Sequence, residues 1–126
     1  MGVVYGICGE TKAKREVEAK TQVVNFTSSI TIENNTIYRA LEDISSVFSI
    51  GLPGCNDNDV FSCELQFKTG ADVTKIGIYH PFNDVRVTGI DFIETVTDVD
   101  YYSVDGGTVY DILIWYGGQT MNVAVI

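Results

Sequence analysis

A chain of 126 residues has room for one folding unit with a core of its own, and 45% apolar against 20% charged residues place it among globular proteins, away from disordered and fibrous classes. Eight Lys and Arg against seventeen Asp and Glu give a net charge of -9, which excludes nucleic acid as a partner in the absence of a dense basic patch. No stretch approaches the roughly 20 consecutive apolar residues of a membrane helix, and the opening MGVVYGICGE lacks the basic start and long apolar run of a signal peptide, so the expectation is a soluble chain with no membrane partner, not exported by the Sec route.

The first twenty residues differ in composition from the rest. Four of the eight basic residues, Lys12, Lys14, Arg15 and Lys20, fall in TKAKREVEAK, whereas fourteen of the seventeen acids lie beyond Lys20. Residues 3–7, VVYGI, read as a short strand, and the polar stretch 8–20 has no apolar stripe to hold a helix on a core. Residues 1–20 are therefore expected to form an extended arm, with a solvated helix over 11–20 as the alternative.

From residue 21 onward the pattern has period two and is broken by Gly, Asn and Asp clusters, which predicts an all-β domain over 21–126, an antiparallel β-sandwich or jelly roll. Predicted strands in chain order are 23–26, 30–33, 36–40, 47–52, 61–69, 74–79, 85–93, 101–104, 109–116 and 121–126. In 61–69, Phe61, Cys63, Leu65 and Phe67 are expected in the core, with Ser62, Glu64, Gln66 and Lys68 in water. In 109–116 both rows are largely apolar, so both faces are expected to be covered. The YGGQ segment (116–119) supplies a tight turn to the last strand. Leu41, Ile44, Val47 and Phe48 also fit one helical stripe, so a helical turn over 41–48 is the alternative to strand and loop there.

Little in the sequence points to catalysis. His80 is the single histidine, which leaves no two-histidine metal site, and no G-x-S-x-G accompanies it. Its expected role is a loop residue packing on Pro81 or Phe82. The acidic runs NDND (56–59) and TDVD (97–100) invite calcium, but Phe61 occupies the third ligand position counted from Asp57 and Ser62 the glycine position, so both read as solvated loops. No phosphate-binding glycine motif occurs, and no cofactor is expected. Cys8, Cys55 and Cys63 form no complete disulfide framework; a Cys55 to Cys63 bridge is the one local alternative to unbridged thiols. The aromatic set Tyr101, Tyr102, Tyr110, Trp115 and Tyr116 is expected to pack in the core or a subunit interface; the alternative is a sugar-stacking platform built from Tyr101, Tyr102 and Trp115.

Several segments carry a resemblance. YGICGETKAKREVEAK (5–20), with its K-x-K-x-E-V-x-x-K spacing, NNTIY (34–38), Leu52-Pro53, FKTGA (67–71) and YDILIWYGG (110–118) together resemble small structural proteins of tailed bacteriophages of gut Firmicutes-like bacteria. The chain departs from that pattern in the acidic loop PGCNDND and in HPFNDVRVTGIDF, where a tryptophan-containing strand is usual. The resemblance implies a non-enzymatic virion protein of head-fibre, capsid-decoration or tail-fibre type, assembled in the bacterial cytoplasm. Capsid and tail locations stay open. The expected partners are other virion proteins, major capsid or tail proteins, and copies of the chain in a homotrimer. Lys12, Lys14, Arg15 and Lys20 are the candidate contacts of the arm, because charges on a segment without its own core act on water or on a neighbour, and Tyr5 is counted with them as a partner contact. The alternative function is a carbohydrate-binding, receptor-binding module with a host-surface glycan as partner.

Overall fold

The structure, a computed structural model, describes residues 22–126. The expected arm and its candidate contacts Tyr5, Lys12, Lys14, Arg15 and Lys20 lie outside the described residues, as does Cys8. Among the described residues there are eleven strands and no helix: β1 (Gln22–Asn25), β2 (Ile30–Thr31), β3 (Thr36–Arg39), β4 (Ser49–Gly51), β5 (Ser62–Lys68), β6 (Lys75–Tyr79), β7 (Asp84–Thr88), β8 (Phe92–Val96), β9 (Val99–Ser103), β10 (Val109–Gly117) and β11 (Thr120–Val125).

The all-β expectation holds, but the antiparallel one is corrected. The strands form a six-stranded sheet of order β1-β3-β5-β10-β11-β7 and a five-stranded sheet of order β2-β4-β6-β9-β8, and both are mixed. Through β8 the chain alternates between the sheets, so β1, β3 and β5 return to the first in the same direction and pair in parallel, as do β2, β4 and β6 in the second. Antiparallel pairing is confined to β5–β10, β10–β11, β6–β9 and β8–β9, with β11–β7 again parallel. Period-two hydropathy records which face a residue takes and is blind to strand direction, which is why the sequence reading missed this.

One core is shared by the two inner faces. Leu65, Ile112, Ile114, Met121 and Val123 from the six-stranded sheet and Ile50, Ile76 and Ile78 from the five-stranded sheet are all at most 1% exposed. Each such side chain contributes about 1.5–3 kcal/mol by leaving water. Phe48 meets Phe67 edge to face at 5.1 Å between ring centroids, and Phe26 contacts both rings, tying the loops that flank β1 and β4 to β5. Two tyrosines fasten loops by the same device. The Glu33 amide donates to the Tyr38 hydroxyl at 2.7 Å and the Asp105 amide to the Tyr110 hydroxyl at 2.7 Å, in each case five residues upstream of the ring. Burial pushes the Tyr38 hydroxyl pKa up, against the opposing pull of the Glu33 amide.

Three local expectations are revised and one alternative falls away. The predicted strand 85–93 is two strands in different sheets, divided at Gly89, whose φ of +96° and close approach to the Val125 carbonyl let the chain cross over. The helical turn over 41–48 does not form: Ile44 and Phe48 are buried while Leu41 and Val47 are exposed, and Ile44 extends the sheet by accepting from the Gly70 amide and donating to the Lys68 carbonyl. Glu64, expected in water, is buried on the outer face of β5, where its carboxylate accepts from Gln66 Nε2 at 3.0 Å while Gln66 Oε1 accepts from Arg39 Nε. On β10 Ile112, Ile114 and Tyr116 of the inner row are buried and Tyr110 half-buried, whereas in the outer row Val109 is exposed and Asp111, Leu113 and Trp115 half-buried, so the expected cover of that face is only partial. Within TDVD, Thr97 and Asp98, both at positive φ, form a two-residue hairpin turn and Val99 and Asp100 open β9, so the segment is not a solvated loop.

Candidate functional site

Five connections meet at one end of the molecule: the loops β2–β3, β4–β5 and β6–β7, and the tight turns β8–β9 and β10–β11. Three of them frame an open cleft of about 560 Å³. The first loop contributes Cys55, Asn56, Asp57 and Asn58, the second Phe82, Asn83 and Asp84, and the β10–β11 hairpin contributes Tyr116 and Gln119.

The cleft is held by local chemistry. Asn83 clasps the neighbouring loop, its Oδ1 accepting from the Cys55 amide and its Nδ2 donating to the Cys55 carbonyl, both at 3.0 Å. Asn56 and Asp59 close a turn, the Asn56 amide donating to Asp59 Oδ2 and the Asp59 amide to the Asn56 carbonyl. Gly54 lets the Phe82 side chain lie against the backbone, since a Cβ there would stand 3.2 Å from Phe82 Cβ. Phe82 nonetheless remains 71% exposed. Gly118 and Gln119, at φ +63° and +64°, form the two-residue turn expected from YGGQ.

The cleft's electrostatics are one-signed. Asp57 and Asp84 line it and no Lys, Arg or His does. Burial pushes the Tyr116 hydroxyl pKa up, helped by the nearby carboxylates of Asp57 and Asp59, so Tyr116 stays protonated at neutral pH. Burial also raises the Cys55 thiol, with Asp59 acting in the same direction, and Cys55 is accordingly a weak nucleophile. Cys63 points into the core from β5 and Cys55 sits in the loop, so the bridge considered from sequence is not formed.

The alternative sugar platform of Tyr101, Tyr102 and Trp115 is not assembled. Tyr102 faces the core, 9% exposed, and meets Phe92 edge to face. Burial raises its hydroxyl pKa, with Asp100 adding to the shift. Tyr101 occupies the opposite face of β9, with Lys75 Nζ 4.7 Å from its ring centre and Glu94 in turn 3.5 Å from that ammonium. Trp115 lies in the other sheet, half-buried on the outer face of β10. The core expectation for Tyr116 holds, and Tyr110 stacks on Phe67.

His80 is engaged by a carboxylate. Its Nε2 lies 2.6 Å from Asp100 Oδ2, and Asp100 Oδ1 accepts from Thr95 Oγ1 at 2.5 Å, joining the end of β6 to β9 and β8. Among the described residues no cluster of His, Cys, Asp and Glu is arranged to hold a metal ion. What sequence reasoning missed is Phe82, Asn58, Asp84 and Gln119 as neighbours. Their segments were recognised only as turn-forming spacers, and the signal that could have united them is that both loops and the hairpin turn interrupt strands at the same end. No protein family, curated protein or solved structure matches the chain.

Proposed function

We propose that the chain is a non-enzymatic structural subunit of a bacteriophage particle, a capsid-decoration or head-fibre-like protein that attaches through residues 1–20 and associates with copies of itself as a homotrimer. The observation that carries this reading is strand β8. It is the edge of the five-stranded sheet, all five of its residues are exposed, and three of them are Phe92, Ile93 and Val96. An apolar edge strand offers unpaired backbone groups and an unmet hydrophobic surface together, which is the usual chemistry of an assembly contact.

Topology supports a head-to-tail arrangement. β7 and β8, the edges of the two sheets, are joined by residues 89–91 and so lie on one side of the domain; β1, which starts at residue 22, is the opposite edge of the six-stranded sheet. Each copy thus has β1, the first described strand, at one edge and the open strand β8 at the other. Contacts between unlike patches close into a ring where the rotation between copies allows it, and a ring of three is the closure we propose.

Light scattering on the full chain, beside a variant lacking residues 2–20 and the double variant Ile93→Lys, Val96→Lys, tests the reading. The full chain is expected to be a trimer that enters particles in co-expression, the lysine pair to dissociate it, and removal of the arm to abolish incorporation. A monomeric full chain, or full incorporation without residues 2–20, overturns it.

A further inference from the structure

The loop cleft is not used by this assembly role, and its chemistry is that of a ligand site. We infer that it binds a neutral sugar ring, with Phe82 as the stacking face and Asp57, Asn58, Asp84 and Gln119 as hydroxyl partners.

The argument starts from Phe82. Phe82 is 71% exposed, yet it is positioned, its Cβ and ring edge seated against the bare backbone of Gly54. A pyranose presents a face of C–H groups that stacks on such a ring, burying apolar surface on both partners. Its edge carries hydroxyls, each a donor and an acceptor. The lining residues match that edge: the carboxylates of Asp57 and Asp84 accept, and the amides of Asn58 and Gln119 both donate and accept.

Size and rigidity agree. A volume of about 560 Å³ lies within the range of small-ligand sites. The loops are fixed in advance by the paired Asn83 hydrogen bonds to Cys55 and by the Asn56 to Asp59 turn, so binding need not order them. Charge then selects among sugars. With two carboxylates and no cationic side chain in the lining, an acidic sugar or a phosphate is repelled and a neutral one is not. The inference stands beside the assembly role rather than on it, because the cleft lies within a single copy.

The test is a titration of the ¹⁵N-labelled full chain, in the presence of a chelator, with glucose, galactose, mannose, N-acetylglucosamine and N-acetylneuraminic acid. At least one neutral sugar is expected to move the amide signals of residues 56–58, 82–84 and 119 with a dissociation constant of roughly millimolar order, as suits an open polar site. N-acetylneuraminic acid is expected to leave them unmoved. Phe82→Ala should weaken binding about tenfold or more while the melting temperature holds, since the side chain removed is mostly in water. Asn58→Ala serves as a second variant with the same expectation of weakened binding in a folded protein. Unmoved signals with all four neutral sugars, binding indifferent to both variants, or equal binding of the acidic sugar each overturn the inference. None of these results bears on trimer formation or particle incorporation, so the two readings fail separately.

Discussion

Strands β10 and β8 are both rich in large apolar residues, and the structure treats them in opposite ways. β10, VYDILIWYG, pairs with β5 on one side and β11 on the other, and its inner row is sealed, with Ile112 and Ile114 at most 1% exposed. β8, FIETV, pairs only with β9, carries an irregularity between Phe92 and Glu94, and exposes all five residues. Residue type is thus a poor guide to burial here; position in the sheet decides it. In β10 apolar surface holds the domain together. In β8 it is left exposed to water.

This contrast sets the largest expected effect. Ile112→Ala should lower unfolding free energy by about 2–5 kcal/mol, because the cavity is walled by both sheets and has little room to collapse. Ile93→Ala should stay within about 0.5 kcal/mol in the isolated domain. Urea unfolding with matched m-values measures both. Comparable losses at the two sites would mean that β8 is covered within the single copy, and the contrast would disappear.

Next in size is the crossing between the two edges. Gly89→Ala places a Cβ 2.4 Å from the Val125 carbonyl at a φ of +96°, so both the space and the backbone conformation oppose it. We expect a loss of about 1–3 kcal/mol, with β7 detaching from β11 before any other pair. Gly118→Ala, at φ +63° with open space around it, should cost less. Hydrogen exchange resolved along β7 and β11 checks this, and equal exchange in the two variants would show that crowding at the Val125 carbonyl contributes nothing.

The sequence made the strands legible where one face is sealed and the other wet, as in β5, β6 and β11, and the tight turn at Gly118-Gln119 was readable from its glycines. It concealed what depends on direction and partnership. The parallel pairs β1–β3–β5 leave no mark in hydropathy, and TVTD reads equally as a loop or as the hairpin that Thr97 and Asp98 form. Glu64 misled because alternation assigns it to water, whereas its carboxylate is held by Gln66 on a covered outer face. The alternative aromatic platform failed for a geometric reason: Tyr101 and Tyr102 are neighbours in sequence and must point to opposite faces of a strand. The cleft residues were out of reach, since Asn58, Phe82 and Gln119 come together only through a topology that the pattern does not encode.

The finest test concerns how β8 is held to its one neighbour. Asp100 of β9 accepts from Thr95 of β8 and meets His80 beyond β6, so a single carboxylate joins three elements at the weaker edge. Burial alone would raise its pKa, but the hydrogen bonds from Thr95 and His80 and the charge of His80 together outweigh burial and hold the carboxyl below its ordinary value. A carboxyl lowered in the folded state stabilises it fully above the unfolded value of about 3.9, and that stability is lost as pH falls through the lower folded value. Asp100→Asn should therefore melt below the parent at pH 7, and the gap should close in acid as the parent's carboxyl takes up its proton. Exchange should quicken in Phe92–Val96 and hold steady in Val109–Gly117. A gap that is constant with pH would assign the loss to packing rather than charge, and quickened exchange in β10 would show that the two strands share one cooperative unit despite their different burial.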